Sequence, residues 1–64
     1  MAMQGKEFRA IRARLGVTQI KLARALGLSS KYIGMMENDD PGAKIEPRTE
    51  FAMRYLAEHP DAVG

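Results

Sequence analysis

Ten lysine and arginine side chains, eight aspartates and glutamates, one histidine (His59) and no cysteine are the reactive inventory of this 64-residue chain. A lone histidine without thiolates cannot assemble a zinc site, and no disulfide framework is possible. The chain has no glycine-rich phosphate loop and no carboxylate pair set in an evident pocket, so no enzyme, metal or cofactor is expected. What these residues can do is attract charge. Residues 1 to 36 hold seven basic side chains (Lys6, Arg9, Arg12, Arg14, Lys21, Arg24, Lys31) against one acid, Glu7, a local charge of +6. From Glu37 onward three basic residues face seven acidic ones, a local charge of −4 within an overall +2. One half of the chain attracts polyanions and the other does not.

Positioning these groups falls to a small scaffold. The length allows one domain over residues 1–64. A chain of this size buries only about 60% of the surface its unfolded form exposes, so packing alone leaves it marginal and self-association would help. No apolar run approaches a membrane span and no signal-peptide pattern opens the chain, so a cytoplasmic location away from membranes is expected.

Four helices are predicted, at about 5–15, 19–26, 29–37 and 47–58. Phe8, Ile11 and Leu15 are spaced three and four apart on one stripe, and Gly16 stops that helix. Thr18 is a good N-cap behind the apolar Val17, and the run Ile20–Leu26 is rich in strong helix formers. Gly27 closes the second helix, Leu28 links, and Ser29 opens the third. Asn38-Asp39-Asp40-Pro41-Gly42 is a cluster of turn formers. Pro47 suits the first turn of the fourth helix, with Glu46 or Glu50 near its positive end, and Pro60 ends it. The tail Asp61–Gly64 is expected to fray.

The second and third helices meet across a three-residue turn, which is the helix-turn-helix arrangement. It needs a small residue at the crossing, a glycine in the turn and apolar residues facing back. Ala23, Gly27, Ile33 and Met36 stand at those places. Leu22, Leu26 and Leu28 complete the lining with Phe8, Ile11 and Leu15.

Here the chain resembles the phage repressor and Cro (lambda-repressor-like) family of helix-turn-helix proteins. The run Leu15-Gly16-Val17-Thr18-Gln19 through Leu22-Ala23, then Leu26-Gly27-Leu28-Ser29 and Ile33, carries the resemblance, which extends over residues 5 to about 57. It implies an all-α, compact four- to five-helix domain that binds double-stranded DNA with the third helix in the major groove. It implies base contacts from Ser30, Lys31, Gly34 and Met35: Lys31 donating to guanine, Ser30 reading permissively, Met35 touching a thymine methyl or packing on a neighbour, and Gly34 admitting close backbone approach. It implies phosphate contacts from Gln19, Tyr32, Asn38, Lys44 and Arg48, with Gln19 also buttressing the third helix. Arg12 and Glu37 fall where the family forms a partly buried ion pair, so they join Ala23, Gly27 and Ile33 as supports of the motif.

One departure from the family pattern stands out. Asp39 and Asp40 occupy places where the family has glycine or basic residues, and carboxylates near phosphate repel it. They either turn away from DNA or weaken binding and make it more salt-sensitive. On the fourth helix Phe51, Ala52, Met53, Tyr55, Leu56 and Ala57 span about 240° of the wheel, more than one core face needs. Met53, Leu56 and Ala57 are the expected dimer contacts, for a homodimer on a palindromic operator. The resulting expectation is a bacterial or phage-encoded transcriptional repressor acting by operator occupancy, nucleoid-associated when bound. Activators also fit. So does a protein-binding adaptor, or an antitoxin whose apolar fourth helix engages a protein partner while the chain regulates its own operon.

Overall fold

The computed structural model describes residues 3–63. Among them are four α-helices and no strand: α1 (Gly5–Leu15), α2 (Gln19–Leu26), α3 (Ser30–Glu37) and α4 (Pro47–Glu58), followed by a 3-10 turn over Pro60–Val63. The fold is all-α, and each helix begins and ends within a residue of the position its capping residues predict.

Those boundaries have local causes. The Thr18 hydroxyl accepts the Lys21 amide at 3.1 Å, and the Ser29 hydroxyl accepts the Tyr32 amide at 3.1 Å, each satisfying a donor left free in a first turn. At the end of α2, Gly27 takes φ +73° while Leu28 N–H donates to Ala23 O at 2.8 Å and Gly27 N–H to Arg24 O at 3.4 Å. This double closure is the glycine-ended Schellman turn, and it aims the chain directly into α3.

Phe8, Leu22, Ile33, Met36 and Met53 are fully buried, one or two from each helix, and Ile11, Ala23 and Leu56 pack beside them. Buried Ala23 lets α2 and α3 approach, as a crossing residue should. Met3 and Ala43 join the core from outside the helices, so the chain just before α1 at Met3 and the loop after α3 are tied down by apolar burial.

Two expectations about the C-terminal third are corrected. Met53 (0% exposed) and Leu56 (6%) lie in the chain's own core, with half-buried Ala57 packed against it, so these side chains are not free to meet a second subunit. The apolar groups α4 turns outward are Phe51 (69% exposed) and Tyr55 (57%). The tail is not frayed through residue 63. Ala62 N–H donates to His59 O at 2.9 Å, and Val63 reaches the core and borders a groove with Ile20, Lys21 and Arg24 of α2. Gly64 lies outside the described residues.

α4 is fastened to α1 through Arg54, which donates to Glu50 one turn earlier at 3.0 Å and to Glu7 at 3.3 Å. The Glu50 hydrogen bond, then that of Glu7, raises the Arg54 pKa above its already high ordinary value despite an opposing desolvation. No described helix is long and apolar enough to cross a membrane.

Candidate nucleic-acid interface

α3 buries Ile33 and Met36 and turns its opposite side outward. That outward stripe runs through Lys31, Gly34, Met35 and Asn38, spaced three, one and three apart, so all four fall within one narrow arc of the helix. Lys31 and Asn38 are exposed, while Gly34 and Met35 are half-buried. Ser30, also half-buried, sits at the edge of the stripe in the first turn.

A single carboxylate holds this helix at its angle. Glu37, with its side chain 5% exposed, accepts from Arg12 Nε on one oxygen and from Arg12 Nη2 at 3.2 Å on the other. The Arg12 side chain is 18% exposed and its third donor, Nη1, reaches Val17 O at 3.1 Å. Gln19 Nε2 donates to the same Glu37 Oε1 at 3.2 Å. The last turn of α3 is thus tied to α1, to the α1–α2 loop and to the first residue of α2. An acid at a helix C-terminus is electrostatically unfavourable, and the adjacent guanidinium offsets that cost.

Gln19 is also the neighbour of Gly34. A β-carbon built on Gly34 would meet the Gln19 amide at 3.6 Å, so this position faces the first turn of α2. The glutamine lies along the stripe's edge with one amide proton engaged by Glu37 and the other free for an anion. Its buttressing of α3 is therefore direct.

The other expected contacts are placed less uniformly. Tyr32 is half-buried with its ring against the core. Met35 likewise packs partly inward, its methyl 3.6 Å from where a β-carbon on Gly42 would stand, so one face of Met35 supports the loop. Lys44 is exposed on that loop. Arg48 stands apart from the α3 stripe, in the first turn of α4 beside Leu26, Gly27 and Leu28, with Nε donating to Glu46 at 3.1 Å.

The two acidic residues of the turn are occupied by the fold. Asp39 adopts φ +56°, the left-handed region that aspartate tolerates better than most residues, and its Oδ1 accepts the Gly5 amide at 2.7 Å. It caps α1 from 34 positions away, where the N-cap residue Gln4 makes no side-chain cap. Asp40 Oδ1 accepts the Gly42 amide at 2.7 Å, closing a local turn. Asp39 remains exposed and Asp40 half-buried, each with one carboxylate oxygen engaged by a backbone amide. Neither the Gly5–Asp39 cap nor the Gln19–Glu37 bond was legible beforehand. The one signal for the first was a glycine placed, against helix propensity, at the start of α1.

A small core, a capped helical pair and an outward, buttressed second helix define the helix-turn-helix class. The chain matches the helix-turn-helix family model over residues 8–57 and belongs to that family of DNA-binding domains. Among curated proteins it is similar to the HTH-type transcriptional regulator PrpR of Mycobacterium tuberculosis, with 31% identity across 91% of this chain. The chain spans only 13% of that regulator's length. No solved structure matches it.

Proposed function

We propose that this chain is a sequence-specific reader of double-stranded DNA in transcription regulation, inserting α3 into the major groove. The observation that carries this reading is the outward α3 stripe of Lys31, Gly34, Met35 and Asn38, on a helix anchored by buried Ile33 and Met36 and tied at its last turn by the Arg12–Glu37–Gln19 cluster. Lys31 supplies the donor for a guanine edge or a phosphate, Ser30 a permissive hydroxyl, and Met35 an apolar surface for a thymine methyl. Gly34 lets the groove floor approach the backbone. Gln19, Asn38 and Lys44 flank the stripe and grip phosphates, with Tyr32 at its margin. Asp39 and Asp40 each hydrogen-bond a backbone amide, and exposed Lys44 supplies the cation of the loop.

In this reading the chain acts as a homodimer on a palindromic operator and represses by occupying it. The test is a salt series on duplex DNA together with selection of bound sequences from a random pool. A steep fall of affinity with salt and recovery of a two-fold symmetric site are expected. Absence of binding even at low salt would overturn the proposal and favour the adaptor or antitoxin reading, whose support is the exposed Phe51 and Tyr55 on α4.

A further inference from the structure

The outward face of α4 has a pattern that its apolar exposure alone does not reveal. Arg48, Phe51, Tyr55 and Glu58 are all exposed and are spaced three, four and three apart, the a/d spacing of a helix-pairing seam. At about 100° per residue the four fall within about 80° of the helix circumference, opposite the buried Met53. The seam is apolar in the middle, positive at its N-terminal end and negative at its C-terminal end.

We propose that this seam is a self-pairing surface that takes α4 of a second copy of this chain in antiparallel orientation. The midpoint of Phe51 and Tyr55 is also the midpoint of Arg48 and Glu58. A two-fold axis perpendicular to α4 and passing beside its outward face at the level of residue 53 therefore sets Phe51 against Tyr55 of the second copy, and Arg48 against its Glu58, each pair occurring twice as an isologous contact requires. A parallel arrangement would stack Arg48 on Arg48 and Glu58 on Glu58, and like charges across an interface are strongly disfavoured. Charge thus selects the antiparallel register.

The free chain is ready for this exchange. Among the described residues Arg48 is held only by the neighbouring Glu46 in an exposed pair, and exposed pairs are weak. Glu58 makes no ion pair among the described residues. Tyr55 is already ordered by its tilted stack on His59, with ring centroids 4.5 Å apart, so its ring loses little freedom on docking. The seam is three turns long, so the dimer is weak in solution and is reinforced when two copies occupy adjacent half-sites.

This inference specifies the surface of the homodimer proposed above and rests on that part of the reading. The experiment is sedimentation of the full chain over a concentration series, free and on DNA carrying two selected half-sites. Wild type should show a reversible monomer–dimer equilibrium. Arg48→Glu and Glu58→Arg should each weaken association at least about tenfold, and the double swap should restore it. Phe51→Ala should abolish dimers while keeping the melting temperature and the binding of single half-sites, because the side chain is exposed and remote from the α3 stripe. A monomer in every condition, or a double swap that fails to rescue, would overturn the antiparallel seam even if DNA binding persists. Loss of DNA binding by the wild-type chain with association intact would instead remove the DNA reading and leave the seam standing.

Discussion

The Gly5 amide that opens α1 donates to the Asp39 carboxylate beyond the end of α3, at 2.7 Å and across 34 positions of sequence. Asp39 thus has a structural role at a place where its charge alone would be unfavourable for binding an anion. Asp39→Ala removes the cap and puts a less tolerant residue at φ +56°. A loss of about 1 kcal/mol or more is expected, which in a domain of this size lowers the melting temperature by roughly 4–8 °C per kcal/mol. Circular dichroism melts check this, and an unchanged midpoint would show that the cap contributes nothing.

Gly5 and Gly34 are both helical glycines with opposite expectations. A β-carbon on Gly5 would lie 2.5 Å from Met36 O and 2.6 Å from Glu37 O, so α1 would have to move off α3. Gly5→Ala should cost about 1–3 kcal/mol despite alanine's better helix propensity. On Gly34 the same carbon meets only the Gln19 amide at ordinary contact distance, so Gly34→Ala should stabilise by up to about 1 kcal/mol. Denaturant titration of the two variants side by side decides it, and the same sign for both would contradict the packing described.

Removing the Glu37 carboxylate should be the most damaging single polar change. Glu37→Ala strands Arg12 and Gln19 together, at an expected cost of about 3 kcal/mol, the lower end for a buried pair because Arg12 retains some water. Glu37→Gln keeps an acceptor for Gln19 and should cost less. Chemical unfolding of both variants supplies the comparison, and equal losses would mean that the Gln19 bond is worth nothing.

Lys31 is exposed, so Lys31→Ala should leave the melting temperature unchanged while weakening DNA binding. If it reads a base, the loss is about 1–3 kcal/mol and preference at one operator position relaxes. If it holds a phosphate, binding falls uniformly across sequences and the salt slope drops by about 1. Titrations against the selected site and a scrambled one separate the two outcomes, and unchanged affinity for both would exclude Lys31 from the interface.

Much of the helix layout is local and was legible from the residues. Thr18 and Ser29 satisfy donors three positions on, and Gly16 and Gly27 adopt the positive φ that ends a helix, so these four boundaries are written within one turn of chain, whereas the start of α1 is capped by distant Asp39. The Arg12–Glu37 pair was reachable through the register of the family resemblance, and its geometry agrees. Which way α4 turns was not reachable. Its apolar residues cover too much of the helix for periodicity to choose a core face, and Met53 and Leu56, the expected dimer contacts, point inward.

By itself, then, the sequence determined where the helices start and stop, because capping and glycine conformation act over three or four residues. The tertiary structure decided what faces what: Met53 and Leu56 in the core with Phe51 and Tyr55 outside, Val63 folded back onto the body, and Asp39 turned to cap α1. Those outcomes depend on contacts between segments far apart in the chain, and they are chosen by which arrangement buries the most apolar surface while leaving no buried donor or acceptor unpaired.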